Sequence, residues 1–319
     1  MQLTPSIYEH AARLIEVSPW QASRDPELLF KGHARAFGMY HHAPIVVGID
    51  IYNLEAEAYG GVISEPADNG IPAITEHPCA DMDALLALQP LDATAGRIPM
   101  VLDVGHKLQQ ELPEADIRIP LSGPFSIATN LIGFENLLMA VMLEPEKTVQ
   151  VLDHLVEGQL NFCRRVIERG LDIAFFESAA APPLLSPDQF RDTELPVLKR
   201  IIEQTAAIAG HPVPCIIGGN TTPILEDMLT TGTGYVICPA EADQVNFMKI
   251  MQTHPQVMVR VNTDPEIISR GSWPHIQAEL DRILTLVAGR EKVCLGTGAL
   301  PYETPTENVM RAIEYVKDK

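Results

Sequence analysis

Hydrophobic positions along this chain follow two alternating patterns. Short, mainly apolar runs occur at Ile45–Ile49, Ile117–Leu121, Ile173–Phe176, Cys215–Ile217, Tyr235–Cys238, Val257–Val261 and Val293–Leu295. Between them lie longer stretches in which apolar residues return every three or four positions. Val149, Leu152, Val156, Leu160, Cys163 and Val166 form one such stripe, ended by Gly170; Ile276, Leu280, Ile283, Leu284 and Val287 form another, ended by Gly289. That spacing predicts amphipathic helices closed by glycine. The short runs are too brief and too uniformly apolar to alternate, so they predict strands buried on both faces.

Seven such strands, each followed by a helix, imply a parallel sheet covered by helices; the position of an eighth is not legible. No Gly-rich dinucleotide fingerprint follows any strand, which favours a closed barrel over an open doubly wound sheet. The expected fold is α/β: a (β/α)8 TIM-like barrel with an N-terminal helical extension. One barrel domain is expected over 1–319, with 1–40 as a helical cap and 60–115 as an excursion carrying the helix Arg97–Glu111. Ser186-Pro187, Thr222-Pro223, Asp264-Pro265 and Thr304-Pro305 read as helix starts, an oxygen side chain capping an amide and proline filling the first turn. Thr304-Pro305-Thr306-Glu307 also has the form of a capping box.

Composition narrows the partners. The formal net charge of −19 repels phosphate backbones and anionic lipid, so neither nucleic acid nor membrane is expected. The N-terminus lacks a basic segment followed by an apolar one, and no run approaches about 18 apolar residues. Five dispersed cysteines without a CxxC pair read as reduced core residues. A soluble, cytoplasmic enzyme is expected, and a homodimer is compatible with the sequence.

In such a barrel the loops at the strand carboxyl ends build the site. By that rule the candidates are Asp50, Tyr52, Asn53, Glu55 and Glu57 after the first run, then Ser122, Glu177, Asn220, Glu241, Asn262 and Thr297. Glu177 directly follows Ala174-Phe175-Phe176, where a carboxylate must be paired, metal-bound or a proton carrier. His41-His42 precede the first run at its amino end, which places them away from the site and on the surface. No Gly-x-Ser-x-Gly elbow, P-loop or HExxH motif is present.

Ser122-Gly123-Pro124-Phe125-Ser126-Ile127-Ala128 resembles the Gly-Pro-Phe-Thr-Leu-Ala segment of the uroporphyrinogen decarboxylase family. The resemblance continues through Leu143-Glu144-Pro145-Glu146, Glu177 to Ser186-Pro187, Gly219-Asn220-Thr221 and Gly298-Ala299-Leu300-Pro301, covering about 45–319 in consistent order. Decarboxylases of that family carry an arginine-rich N-terminal segment that grips their substrate's carboxylates; here only scattered Arg13, Arg24 and Arg35 occur. Its methylcobamide:thiol methyltransferases look built around a zinc held by His-x-Cys and a later Cys, and those positions are Ile216, Gly218 and Thr297 here.

The resemblance then implies the third group, corrinoid-dependent methyltransferases that open methyl ethers. Such a protein passes a methyl group from a small methylated substrate, an aryl methyl ether above all, to cob(I)alamin on a separate corrinoid protein. This chain lacks the Asp-x-His-x-x-Gly corrinoid-ligand motif, so the cofactor is expected on the partner. Some members resemble zinc proteins with Glu-x14-Glu-x20-His; Glu226 and Glu241 have that spacing, with Asn262, a poor zinc ligand, at the third position. The resemblance thus implies Glu226 and Glu241 as the zinc pair; with the strand-end rule, Glu177 and Glu241 are expected as acid or metal ligand, and Asp50, Asn53, Ser122, Asn220, Asn262 and Thr297 around the substrate. A decarboxylase of this family's type and a non-catalytic tetrapyrrole or corrinoid carrier stay open as alternatives.

Overall fold

The computed structural model describes residues 1–319. Its strands in chain order are β1 (Leu3–Ser6), β2 (Ile45–Val46), β3 (Val62–Ser64), β4 (Ala73–Glu76), β5 (Ile117–Ser122), β6 (Asp172–Phe176), β7 (Cys215–Ile216), β8 (Tyr235–Cys238), β9 (Met258–Thr263) and β10 (Val293–Ala299). Apart from the antiparallel β3–β4 hairpin, they form two parallel arcs, β1-β10-β9-β8 and β2-β5-β6-β7. The arcs meet on one side through a parallel bridge between Pro214 and Tyr235. On the other side the Thr4 hydroxyl donates to the Ala43 carbonyl at 2.6 Å and accepts from the Ala43 amide at 2.9 Å. Eight parallel strands therefore follow one another around a ring in chain order, the (β/α)8 arrangement expected.

The eighth strand is β1, inside the segment expected to be a helical cap. It pairs in parallel with β10, Leu3 opposite Leu295. No apolar run marks it, because Leu3 is its one residue in the outer cluster against the helices; Thr4 and Ser6 are its buried polar residues. Helices Glu9–Arg13, Pro19–Ala22 and Pro26–Tyr40 occupy the rest of that segment. The excursion holds the β3–β4 hairpin and the helices Met82–Leu86 and Ile98–Glu111.

Strand pleating sorts the core. Residues such as Ile119, Phe175, Val259, Val261 and Leu295 pack outward against the helices in one continuous cluster. Their neighbours Val46, Ala174, Phe176, Ile216 and Ile237 pack inside the barrel with Ile51. Burying one such large aliphatic or aromatic side chain contributes roughly 1.5–3 kcal/mol, so this two-sided burial is what makes the runs uniformly apolar. No single helix is long and apolar enough to cross a membrane.

Two of the four expected caps form: Ser186 accepts from the Gln189 amide and Asp264 from the Glu266 amide. Thr222 instead donates to the Asp243 carbonyl. The final helix begins at Thr306 without a side-chain cap, and the Thr304 hydroxyl is buried without a partner. His42 is 1% exposed rather than on the surface.

Candidate active site at the carboxyl ends of the strands

A cavity of about 680 Å³ opens at the carboxyl ends of the strands, within the size range of small-molecule sites. Its walls come from the ends of β1, β2, β6, β7, β8, β9 and β10. One side is closed by the excursion, whose hairpin brings Ile71, Pro72, Ala73 and Ile74 to the opening, with His77 just beyond. Apolar side chains Ile49, Ile51, Phe176, Ile216 and Ile237 supply much of the lining.

Pleating decides which predicted residues reach it. On β9, Val259 and Val261 face the helices, so Arg260 and Asn262 face the cavity. Both are buried, at 7% and 3% exposure, and the Arg260 Nε and Asn262 Oδ1 have no hydrogen-bond partner. Gly296 makes room for them: a Cβ there would lie 2.5 Å from Arg260 Cδ and 2.6 Å from Asn262 Oδ1. Tyr52 lines the wall and donates to Ser178 Oγ at 2.8 Å. That hydroxyl also accepts from the Gly218 amide at 3.0 Å. Glu241 lies at the exposed rim of the cavity.

Asp50 and Asn53 line the cavity too, but Asp50 is committed. Arg97 donates to Asp50 Oδ1 at 2.8 Å and Oδ2 at 2.7 Å, to Glu57 at 2.5 Å and to the Ser23 carbonyl at 2.8 Å. Burial opposes the Arg97 charge, yet Asp50 and Glu57 more than offset it and hold its pKa above the ordinary arginine value. Asn53 Nδ2 donates to Asp50 at 3.2 Å and to the Pro72 carbonyl at 2.7 Å. The cluster ties the helix Ile98–Glu111 and the hairpin to the barrel mouth.

Glu177 is placed elsewhere. It is fully buried, and its Oε1 accepts from the Phe125 and Ser126 amides at 2.7 and 3.1 Å, in the first turn of the helix Pro124–Ile132. A carboxylate is favoured there by the orphan amides and the helix dipole. Gly123 is required beside it, because a Cβ would collide with the carboxylate. Burial pushes the Glu177 carboxyl up to about 7. Burial and the Glu177 charge together hold Glu194, also fully buried, well above the usual carboxylate range. Phe176 points inward, so the next side chain turns away from the cavity.

Ser122 donates through its amide and hydroxyl to Glu55, at 2.7 and 3.2 Å; burial pushes the Glu55 carboxyl up to about 7. The Thr297 hydroxyl accepts from the Ser6 amide at 3.2 Å and donates to the Gly298 carbonyl at 2.7 Å. Neither Ser122 nor Thr297 lines the cavity, and Asn220 is exposed beside it. Of the eight residues expected to be catalytic or substrate-binding, the structure brings together Asp50, Asn53, Glu241 and Asn262.

Zinc does not fit the residues present. Glu226 is exposed on the short helix Leu225–Leu229, and no three His, Cys, Asp or Glu side chains converge to hold a metal ion. Ile216 and Gly218 offer no donor side chain, and Thr297 is engaged as described. The Glu226–Glu241 pair is therefore left without the further donors a tetrahedral zinc site needs.

Sequence reading missed Tyr8, Ser6 and Arg260, which line the cavity floor and wall. Arg260 carried a signal, being the one charged residue inside the run Val257–Val261. Burial raises the Tyr8 pKa to about 12, with the Arg260 charge acting in the opposite sense.

The whole chain, residues 1–319, matches the family model described as uroporphyrinogen decarboxylase (URO-D). It is 26% identical over 268 residues to the methylcobamide:CoM methyltransferase MtaA of Methanosarcina barkeri, covering 82% of this chain and 76% of that protein. It is 25% identical over 299 residues to the uroporphyrinogen decarboxylase of Parasynechococcus marenigrum (strain WH8102), covering 90% of this chain and 82% of that one. A solved methyltransferase from Methanosarcina mazei superposes with a TM-score of 0.83 at 23% identity, over 99% of this chain and 91% of that chain.

Proposed function

Because this chain belongs to the uroporphyrinogen decarboxylase family, we propose that it is a corrinoid-dependent methyltransferase acting on a small methylated substrate, an aryl methyl ether, with the corrinoid carried by a separate protein. The observation that carries this reading over decarboxylation is the scarcity of cations in the cavity. Arg260 is the one arginine or lysine on its walls. Arg24 stacks on Trp20, with its guanidinium carbon 3.4 Å from the ring centre, while Arg13 and Arg35 border a separate surface pocket. A tetrapyrrole bearing many carboxylates needs many paired cations to leave water, and this cavity offers one. Its mainly apolar walls suit a ring-sized substrate instead. Relatives of both kinds match the chain, and the name of one of them specifies methylcobamide as a reactant.

The corrinoid, when its protein docks over the mouth, supplies the nucleophile that takes the methyl group. This chain's own residues handle the other half of the reaction. The carbon–oxygen bond breaks with its electron pair staying on oxygen, and that oxygen must receive a proton to leave readily. Glu241 at the rim is the proposed proton source, and Asn262 and Asn53 orient the substrate below it. Asp50 positions Asn53 rather than touching substrate. Glu177 organises the wall through the helix Pro124–Ile132, one residue from Ser178.

The test is methyl transfer to a reconstituted corrinoid protein from a panel of methyl ethers, amines and thiols, with carbon dioxide release followed in parallel from porphyrinogen substrates. Transfer from an ether, lowered about 100-fold in Glu241→Gln as expected for loss of general acid catalysis, supports the reading. No transfer from any donor, or decarboxylation without corrinoid, refutes it.

A further inference from the structure

Two arginines point into this barrel, one at each end. Arg118 borders the amino-end opening; it donates to Asp116 at 2.9 to 3.1 Å and lies 3.7 Å from Asp172. Arg260, 93% buried by its 7% exposure, has no carboxylate within ion-pair distance and no hydrogen bond to its guanidinium. A buried cation without a counter-charge is costly. Around it the unmet groups accumulate: the Arg260 Nε, the Tyr235 hydroxyl and the Asn262 Oδ1 are all buried without partners. The Arg260 charge acts on both Tyr8 and Tyr235, opposing the rise that burial causes in their pKa values. Gly296 leaves the space that Arg260 and Asn262 fill.

We propose that Arg260 is the anchor of an anion subsite at the cavity floor, which takes one monoanionic oxyanion, a carboxylate or a sulfonate, carried on a small apolar, ring-like ligand. A guanidinium offers two parallel donors matched to such a group. A single cation sets the number at one, and Ile51, Phe176, Ile216 and Ile237 frame an apolar body above it. Arg260 lies two residues before Asn262 on β9, about 7 Å deeper at the usual strand rise. The ligand therefore sits with its charge down and its opposite end toward Glu241 and the mouth. This rests on the reading that the cavity is the substrate site, and it adds the orientation and the charge of what binds there.

The experiment is calorimetric titration in low-chloride buffer with benzoate, benzenesulfonate and the neutral isostere benzamide, on wild type, Arg260→Gln and Arg260→Lys. Wild type is expected to bind at least one of the anions ten-fold or more tighter than benzamide. Arg260→Gln abolishes that preference, and Arg260→Lys keeps part of it. Whichever anion binds tighter identifies the headgroup. Benzamide binding as well as both anions in wild type overturns the proposal without relying on any variant. So does a charge preference that survives in Arg260→Gln. No corrinoid is involved, so the two readings fail separately. Anion binding through Arg260 without methyl transfer fails the methyltransferase reading alone, and methyl transfer without charge preference fails the subsite alone.

Discussion

Replacing Arg97 by methionine should reveal how strongly the excursion is locked to the barrel. The guanidinium makes two bonds to Asp50, at 2.8 and 2.7 Å, one to Glu57 and one to the Ser23 carbonyl. The Asp50 side chain is 1% exposed and that of Arg97 11%. Removing one partner of a buried ion pair typically costs about 3–5 kcal/mol, because the other charge is left without compensation. Here Asn53 still donates to Asp50 at 3.2 Å and Arg24 stays 3.9 Å away, which places the expected loss near the lower end, about 3 kcal/mol. Methionine preserves most of the aliphatic packing, so the loss reports charge rather than volume. The assay is urea unfolding followed by fluorescence at pH 7 for wild type, Arg97→Met, Asp50→Asn and the double variant. The double variant should recover part of the loss, giving a coupling of about 2 kcal/mol. A second readout follows from Asn53, which holds both Asp50 and the Pro72 carbonyl of the hairpin: Arg97→Met should weaken benzoate binding several-fold. A loss below about 1 kcal/mol, the range of exposed pairs, or strict additivity in the cycle, would refute the reasoning.

Gly296→Ala should cost about 1–3 kcal/mol in the same unfolding assay, since a Cβ meets Arg260 Cδ and Asn262 Oδ1 at 2.5 and 2.6 Å; anion binding should weaken with it, and unchanged binding would show that Arg260 is not held where the cavity needs it. Stability should fall as pH rises from 6.5 to 8. Burial pushes Glu9, Glu55 and Glu177 up to about 7, so the folded protein keeps protons that the unfolded chain has released, and the associated stability is lost as pH rises through about 7. His10 and His33, pushed down to about 4 by burial, and His42, to about 3, contribute with the opposite sign: the unfolded histidines are still half protonated at their ordinary value of about 6.5, so together they add back about 1 kcal/mol over the same interval. The three carboxyls together predict a drop of about 2 kcal/mol across that interval, of which the histidines offset about half, leaving a net fall of about 1 kcal/mol. Urea midpoints at several pH values check it, with Glu55→Gln expected to flatten the slope.

The parity of each strand separates what the sequence revealed from what it concealed. A strand buried on both faces reads as an unbroken apolar run, so the run locates the strand but does not say which residues point inward. Taking the first polar residue after each run as a site residue succeeded only where parity happened to agree. Glu177 follows the inward Phe176 and turns under a helix; Thr297 lies between Gly296 and Gly298 and turns toward Ser6. β1 was invisible for the related reason that its inward residues, Thr4 and Ser6, are polar and leave no run. The hairpin that walls the cavity is exposed along β3 and β4, where no core periodicity marks it.

Where a charged residue interrupts a run, parity becomes legible. Arg118 breaks Ile117–Leu121 and Arg260 breaks Val257–Val261, and both side chains point inward, because the outer positions of these strands pack against the apolar helical layer, where a guanidinium is rarely buried. Once Arg260 is set inward, Asn262 must follow it, which is where the structure places it. Distance from the strand's carboxyl end then separates the two roles. Arg118 sits early in β5 at the amino end, where stability residues gather, and Asp116 and Asp172 neutralise it within the protein. Arg260 sits midway along β9 beneath the open mouth, and the protein supplies no carboxylate to it. A counter-charge built into one end and left out of the other is the difference between a cation that holds the barrel together and one that waits for a ligand.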